Sequence, residues 1–372
     1  MSINRSDILF LLCVLLFGMM TSSCQNNSNM KKYNWQPTSS APVLYPVKIH
    51  AAYMRYGKNS ALAVPSSARV NNGLGQPGIT YSLNDEALYP LPTGLDIVWL
   101  SLVDKKFYEA RVDFPTDSIG KLLEKGYIND KGEKESYYLV NVGLIPGGRI
   151  IIYLYGYQKC IELCSFQGTE TEVDMEEFLP NAYFAYKDYE EYFAEIFVDD
   201  RAWVNNFKKN GVSHTLWDKY RERFNYDINL EFEDEKSFLR LYGVDFANGE
   251  GCNVDVREQI LSIRPAARIR LLGCGWTSGE YNFSGYFYFN EEEVLRVFDE
   301  AYADNREQKG ELKILVSKYN NLFDISLRVG DKVYPIKNTQ IRVFKQRPDE
   351  GDDQAILVYK NYEGNHTPFV GE

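Results

Sequence analysis

The pattern of apolar and polar positions predicts strands and amphipathic helices in a repeated order. Residues 95–102 and 107–114 have the apolar content of strands and flank Asp104-Lys105, as in a two-stranded hairpin. Over 114–127 the apolar residues recur at helical spacing after an acidic start, which indicates a helix. A further hairpin pattern surrounds 146–148 (Pro-Gly-Gly), a sequence suited to a tight turn. This part of the chain is therefore predicted to form two hairpins around one helix.

The same order of patterns returns 175 positions later. Strand patterns at 268–272 and 281–289 precede a helical pattern at 289–302, which aligns with 114–127 without gaps. A hairpin pattern around 320–321 (Asn-Asn) follows it. We predict an α+β fold of two similar, mostly antiparallel sheet units of the ββαββ type, related by duplication, with a helical insertion between them.

Chance similarity between two amphipathic helices is the alternative to duplication. The shared pattern is one of residue class more than of identity, and Trp99 and Trp276 miss the common register by two residues. The matching order of hairpins around each helix favours duplication.

These patterns divide the chain into six segments. In order, we predict a secretion signal, a flexible tether, the first sheet unit, the helical insertion, the second sheet unit and a loose tail, at residues 1–23, 24–32, 33–173, 174–224, 225–363 and 364–372.

The first 24 residues predict a lipid anchor. Arg5 precedes an apolar run at 8–20, and small residues then lead to Cys24, as in a bacterial secretion signal that ends at a lipidated cysteine. The run has 13 residues, too few for a membrane span of about 20. Thr21 stands where leucine is usual, so a cleaved signal with an unmodified Cys24 is the alternative. We predict a lipoprotein, acylated at Cys24 by fatty acids such as palmitate, on the periplasmic face of the outer membrane.

Composition narrows the choice of partners. The net charge of −11 argues against nucleic acid as a partner, because a phosphate backbone requires a basic surface. The chain has 28 Tyr, 21 Phe and 5 Trp, an aromatic content that suits half-buried sheet positions and also binding patches.

No motif in the sequence indicates catalysis. Residues 73–78 (Gly-Leu-Gly-Gln-Pro-Gly) match a dinucleotide-binding fingerprint in form but lack its strand and helix, so we predict a loop. His50, His214 and His366 are scattered, and we predict structural or solvated roles for them. The runs of carboxylates are predicted to be solvated, with a glycosidase-type pair as the alternative. We assign no catalytic residue and no cofactor.

The cysteines indicate neither a metal site nor a defined disulfide. Cys160, Cys164, Cys252 and Cys274 can pair completely in three ways in an oxidising compartment, and the sequence does not select one. Cys160 and Cys164 should lie about 13 Å apart along one strand, too far to bridge each other. No cysteine or histidine spacing is typical of zinc, so no metal is predicted.

Five short motifs occur in a fixed order over residues 45–250. They are Tyr45-Pro46, then Leu91-Pro92-Thr93-Gly94-Leu95-Asp96, then Trp99-Leu100-Ser101 with Phe107-Tyr108, then Trp217 with Tyr220 and Arg221, and finally Asn248-Gly249-Glu250. In this order they resemble an uncharacterised family of bacterial lipoproteins, domain of unknown function 2931. The chain departs from that family in its leader motif and its long acidic middle segment. The resemblance implies an envelope lipoprotein and supplies no catalytic residues; some relatives lie near genes for antibacterial secreted effectors, which implies an immunity-type role.

We predict a non-catalytic module that binds a protein partner in the periplasm. An acidic surface would complement a basic partner, such as a secreted toxin, and speed their encounter. The predicted binding face lies in the helical insertion and comprises Tyr183, Tyr186, Tyr189, Tyr192 and Trp203. The alternatives are a glycan-binding or glycan-hydrolysing envelope protein and a structural envelope component.

Overall fold

A computed structural model describes residues 30–81, 87–129, 131–198, 201–254, 260–261 and 265–372. Of the residues, 18% are helical and 44% lie in strands, so sheets form the frame of this mixed α/β fold. The predicted secretion signal, the predicted lipidation site Cys24 and tether residues 24–29 lie outside the described residues. Within the described ranges, no helix has both the length and the apolar character needed to cross a membrane.

The strands, in chain order, are β1 (Tyr33–Asn34), β2 (Gln36–Ser40), β3 (Val47–Tyr56), β4 (Ser60–Ala63), β5 (Leu88–Tyr89), β6 (Pro92–Ser101), β7 (Lys106–Asp113), β8 (Tyr127–Ile128), β9 (Lys134–Glu135), β10 (Leu139–Ile145), β11 (Arg149–Gly156), β12 (Lys159–Gln167), β13 (Thr169–Thr171), β14 (Tyr226–Phe232), β15 (Phe238–Phe246), β16 (Gly251–Val254), β17 (Ile260–Leu261), β18 (Ile269–Ser278), β19 (Tyr281–Tyr288), β20 (Gly310–Val316), β21 (Phe323–Val329), β22 (Lys332–Pro335), β23 (Gln340–Gln346) and β24 (Ile356–Lys360). The α-helices are α1 (Thr116–Lys125), α2 (Met175–Phe178), α3 (Tyr189–Val198), α4 (Ala202–Asn210), α5 (Leu216–Arg221) and α6 (Glu291–Ala301).

One ten-stranded sheet runs through both predicted units, in the order β2-β10-β11-β12-β16-β15-β18-β19-β23-β24. Its first four strands come from the first unit and its last six from the second. The two sets meet where Lys159 of β12 pairs with Cys252 of β16 and Cys160 pairs with Gly251. The sequence predicted two sheet units, whereas in the structure this pairing joins them into one sheet. The edge strands β12 and β16 satisfy each other's free backbone groups by hydrogen bonds.

Two five-stranded sheets complete the frame, β13-β7-β6-β3-β4 in the first unit and β17-β14-β20-β21-β22 in the second. Pairing is antiparallel except between β2 and β10 and between β14 and β20. Buried Trp99 of β6 and Val142 of β10 belong to one core cluster, together with Ile119 of α1. Buried Trp276 of β18 and Ile314 of β20 belong to the other, with Phe298 of α6. Each helix thus contributes to the apolar core of its own unit.

The start of α6 and the end of α1 follow from local sequence. The side chain of Asn290 accepts a hydrogen bond from the Glu293 N–H at 3.0 Å and caps α6, whose first turn carries three glutamates that favour the helix dipole. Helix α1 ends at Gly126, where φ is +59° and the N–H donates to the Leu122 carbonyl at 2.8 Å.

The C-terminal segment 364–372 packs onto the molecule, so its prediction as a loose tail was wrong. Phe369 is 2% exposed and its ring centre lies 6.0 Å from that of Tyr220. The Val370 N–H donates to a carboxylate oxygen of Glu291 at 2.6 Å. One buried aromatic side chain and this hydrogen bond hold a segment whose composition is otherwise mostly polar.

Candidate functional site

The five aromatic residues of the predicted binding face do not form one exposed face. Tyr183 is 39% exposed and Tyr186 and Tyr189 are half-buried, but Tyr192 and Trp203 are each only 3% exposed. The prediction was wrong for Tyr192 and Trp203, because α3 and α4 turn these side chains into the core, where they replace contact with water by contact with apolar neighbours.

Contacts around Tyr189 explain why most of this aromatic group is structural. The Tyr189 hydroxyl donates to the Val173 carbonyl at 2.8 Å, and its ring centre lies 5.4 Å from that of Phe107. The Lys48 ammonium donates to the Tyr192 hydroxyl at 2.7 Å. These contacts attach the helical insertion to the first five-stranded sheet.

A cavity of about 660 Å³ opens between that sheet and the helical insertion, and Tyr189 is one of its walls. We name it the acidic groove. Its walls are residues 105–107 and 170–175, with Asp188, Tyr189 and Phe193. Phe107 and Phe193 are 7% and 6% exposed and form an apolar floor. A concave site with an apolar floor and a polar rim is the usual form of a binding site.

The rim of the acidic groove is predominantly negative. Four exposed carboxylates line it: Glu170, Glu172, Asp174 and Asp188. Two lysines, Lys105 and Lys106, lie beside them. One lysine is already paired, since the Lys106 ammonium lies 2.6 Å from the Glu170 carboxylate. Burial, followed by the negative charges of Asp174 and Glu177, raises the pKa of Tyr189 to about 12. Four carboxylates against two lysines give the rim an excess of negative charge.

Strand β13 brings backbone groups to the acidic groove. It pairs with β7, Thr169 opposite Glu109, and it ends its five-stranded sheet. Residues 170–171 of this edge strand line the groove. An extended peptide can add to such an edge by main-chain hydrogen bonds.

A second cavity, of about 420 Å³, adjoins the acidic groove, since Lys106 and Glu170 line both. In it the imidazole Nε2 of His214 lies 3.0 Å from Oδ1 of Asp104, whose side chain is 5% exposed. The other carboxylate oxygen of Asp104 accepts the Gly147 N–H at 2.8 Å. The sequence did not pair these residues, because they are 110 positions apart and only tertiary packing brings them together.

A pair of glycines makes room for this second cavity. A Cβ at Gly147 would lie 3.3 Å from the His214 ring, and a Cβ at Gly148 would lie 2.5 Å from the ring of Tyr108. Both glycines have φ of +78°, a conformation that other residues rarely adopt. The absence of side chains at the Pro-Gly-Gly turn thus leaves room for the rings of His214 and Tyr108 beside Asp104.

In the Asp104–His214 pair a buried carboxylate fixes the orientation of the imidazole ring, as the aspartate of a catalytic triad does. Ser213, the neighbour of His214 in sequence, lines a different cavity from the pair. The described residues do not include a cluster of three or more side chains that could hold a metal ion.

The last two sequence motifs meet in a buried polar network rather than in a cavity. The Arg221 guanidinium lies 2.6 Å from the Glu162 carboxylate, and the Tyr153 hydroxyl donates to the Asn248 carbonyl at 2.7 Å. The Asn248 side-chain amide donates to Glu250 at 3.0 Å. These residues come from both units and from the helical insertion, so the network fastens the three parts together.

The four predicted mature-chain cysteines are free thiols in the structure, and all four are buried or half-buried. Burial raises the pKa of Cys164 and of Cys252 to about 12 in each case. The thiolate form is therefore disfavoured, and these side chains behave as small apolar groups.

The described residues form a mixed α/β protein, rich in sheet, with an open groove whose rim carries more negative than positive side chains. A family model described as "Protein of unknown function (DUF2931)" matches residues 22–203. Over this range the chain belongs to the DUF2931 family, which confirms the resemblance read from the sequence motifs. The match includes the walls of the acidic groove, whereas the motifs at 217–221 and 248–250 lie beyond it. No curated protein and no solved structure matches the chain.

Proposed function

We propose that this protein is a non-catalytic, lipid-anchored protein of the bacterial cell envelope that binds another protein through the acidic groove. The partner presents an extended segment rich in lysine or arginine. An immunity-type role against a basic secreted effector is the specific form of this proposal. The anchor is the lipid on Cys24, and the site of action is the periplasmic face of the outer membrane.

The observation that carries the proposal is the combination of apolar floor, negative rim and open strand edge in one groove. Phe107 and Phe193 offer apolar contact, and Glu172 and Asp174 offer charges that attract a basic segment. Strand β13 offers main-chain groups for an added strand. The net charge of −11 extends the attraction beyond the groove and would speed encounter with a basic partner.

Site-specific photo-crosslinking in cells that make the protein tests where a partner binds. A photoreactive amino acid at Thr171, in the groove, is expected to capture one protein that is absent when the same amino acid replaces Leu322, an exposed turn residue of the second unit. The captured protein is then purified so that its affinity can be measured.

Charge reversal in the acidic groove is expected to weaken that affinity at least about tenfold, because each reversed carboxylate replaces attraction by repulsion. The test variant combines Glu172→Lys with Asp174→Lys. The matched control combines Glu280→Lys with Asp331→Lys, which reverses two exposed carboxylates in turns of the second unit. Equal loss in both variants would indicate only a general charge effect, and no loss in either would refute the groove as the binding site.

We also propose that the two units arose by duplication. The sheet order β13-β7-β6-β3-β4 corresponds strand by strand to β23-β19-β18-β15-β16, and β2-β10-β11-β12 corresponds to β14-β20-β21-β22. Helix α1 follows β7 and α6 follows β19, and the two helices begin 175 positions apart. This correspondence of nine strands and one helix supports a common origin more strongly than the helix pattern alone, although β17 and β24 have no counterparts in the first unit.

The two-residue mismatch of the tryptophans has a structural explanation. Trp99 pairs with Tyr108, and Trp276 pairs with Phe283, so the tryptophans occupy equivalent positions in equivalent hairpins. The first hairpin turn, 102–105, is two residues longer than the second, 279–280. Aligned sequences of further family members test the duplication: their two halves should match with a two-residue gap at this turn, and the absence of any match would count against it.

A further inference from the structure

A third cavity, of about 480 Å³, lies where the helical insertion meets the second unit and the C-terminal segment. Four parts of the chain provide most of its lining: the segment from the end of α4 to the start of α5, the start of α6, the segment that leads into β23, and residues 367–370. Its volume is within the range of small-molecule sites, which often occur where separate parts of a fold meet. Among the described residues it shares no lining side chain with the acidic groove, so a ligand here does not depend on the groove partner.

The lining of this cavity is rich in side chains that both donate and accept hydrogen bonds. Four amides and two hydroxyls, contributed by all four parts, are Asn210, Ser213, Asn290, Asn338, Gln340 and Thr367. We name it the amide cavity. The Gln340 carbonyl oxygen accepts the Thr367 N–H at 2.7 Å, whereas the side-chain nitrogens of Gln340 and Asn338 donate no hydrogen bond among the described residues. This free capacity suits a ligand rich in hydroxyl groups, which also donate and accept.

The formal charges in the amide cavity largely offset one another. Lys209 and Glu292 are exposed and of opposite sign. Glu291 is already engaged, since it accepts hydrogen bonds from the Tyr220 hydroxyl and the Val370 N–H, each at 2.6 Å. Burial raises the pKa of the Glu291 carboxyl group, and the positive end of the α6 dipole offsets negative charge at this place. The balance suits a neutral polar ligand better than an ion.

The C-terminal segment is held in position where it lines the amide cavity. The ring centres of His366 and Tyr288 lie 3.9 Å apart in a stacked pair, and Phe369 is buried. Thr367 and Pro368, which line the cavity, therefore lie between two anchored residues. A lining that is already ordered lowers the entropy that binding costs.

A sugar matches this combination of polar and apolar lining. Its ring carries hydroxyls at the edge, which form hydrogen bonds, and C–H groups on the faces, which pack on apolar side chains. The apolar part of the amide cavity comprises Tyr45, Leu216, Pro368 and Val370. We infer that the amide cavity binds a short neutral saccharide, with sugar hydroxyls on the amides and one ring face on the apolar side chains.

Isothermal titration calorimetry of the mature chain, with Cys24 replaced by serine, tests the inference with three neutral disaccharides: N,N′-diacetylchitobiose, maltose and cellobiose. We expect at least one of them to bind with a dissociation constant of about 1 mM or lower. Ser213→Trp is expected to raise that constant at least about tenfold, because an indole on this exposed position fills the cavity. The control Ser66→Trp, at an exposed loop position of the first unit, is expected to leave it unchanged.

A second pair of variants keeps the test decisive if Ser213→Trp folds poorly. Asn338→Ala removes an exposed amide of the cavity and is expected to raise the constant at least about threefold. Asn365→Ala removes an exposed amide outside the lining and is expected to have no effect. The groove variant with Glu172→Lys and Asp174→Lys is expected to bind the sugar normally, which separates this site from the proposed function.

Three results overturn the inference. The first is no binding of any of the three disaccharides. The second is binding that is unchanged in the cavity variants or lost in the groove variant, since either places the sugar elsewhere. The third is tighter binding of the anionic sugar 3′-sialyllactose than of the three neutral ones, because charge would then decide recognition.

Discussion

Replacement of Arg268 by alanine is expected to lower the free energy of unfolding by about 3–4 kcal/mol. The Arg268 side chain is fully buried, and its guanidinium forms ion pairs with Glu222, at 2.8 Å, and with Asp299. It also lies 4.5 Å from the centre of the Phe224 ring and donates to the Lys219 carbonyl. Alanine removes all of these contacts, leaves a cavity and leaves two carboxylates without their main partner.

The electrostatic state of Glu222 supports this expectation. Burial by itself raises the pKa of Glu222, yet hydrogen bonds and charge from Arg268 and Arg306 hold that pKa below its usual value. The ionised carboxylate therefore depends on the two guanidiniums, and removal of the buried one weakens its stabilisation.

Urea-induced unfolding provides the measurement, with Arg296→Ala as the matched control. Arg296 is 56% exposed and pairs with Glu300 one helical turn away, so its loss should change the free energy by only about 0.5 kcal/mol. Arg268→Lys should lie between the two, because lysine keeps the charge but cannot reach both carboxylates with a planar fork. A similar loss for Arg268→Ala and Arg296→Ala would contradict the assigned role of Arg268.

Replacement of Gly75 by alanine is expected to cost about 2–4 kcal/mol. A Cβ at Gly75 would lie 2.1 Å from the carbonyl oxygen of Gly249, and Gly75 has φ of +77°. The obstacle is backbone, which cannot move aside as a flexible side chain can. The Gly75 carbonyl also accepts a hydrogen bond from Asn141 at 3.0 Å, so a shift of the loop would disturb a buried contact of β10.

The control for Gly75→Ala separates backbone strain from steric overlap. Gly279 has φ of +60° with nothing within 4 Å of its added Cβ, so Gly279→Ala should cost only about 1 kcal/mol. An equal decrease in the free energy of unfolding for the two variants would show that Gly75 is required only because of its positive φ. A clearly larger loss at Gly75 would show that contact with Gly249 requires the glycine.

The predicted loop at 73–78 is confirmed as irregular structure, although its glycines have a role that the fingerprint did not indicate. Gly75 permits close approach to Gly249, a residue of the family-like motif at 248–250. A sequence motif is defined by the spacing of residues within one segment. It therefore does not show that a glycine in that segment allows a distant segment to approach closely. The identity of that neighbour required the tertiary structure.

The sequence by itself determined the local elements and the family. Hairpins and helices follow from the period of apolar residues, which depends only on neighbours in the chain, and the structure has helices at both predicted places, 116–125 and 291–301. The motifs between Tyr45 and Tyr108 led to the family that the match over 22–203 shows. Composition likewise identified the acidic character on which the binding proposal depends.

Only the tertiary structure decided which distant residues meet. Residues remote in sequence meet where β12 pairs with β16 and where His214 contacts Asp104. Distant residues also cover Tyr192 and Trp203, which are buried. An amphipathic pattern shows which face of a strand or helix is apolar. It does not show which distant strand or helix packs against that face, because that choice depends on all the edges and surfaces of the folded chain. For this reason the sequence located aromatic residues in the helical insertion, whereas the fold determined that the accessible site beside them is an acidic groove.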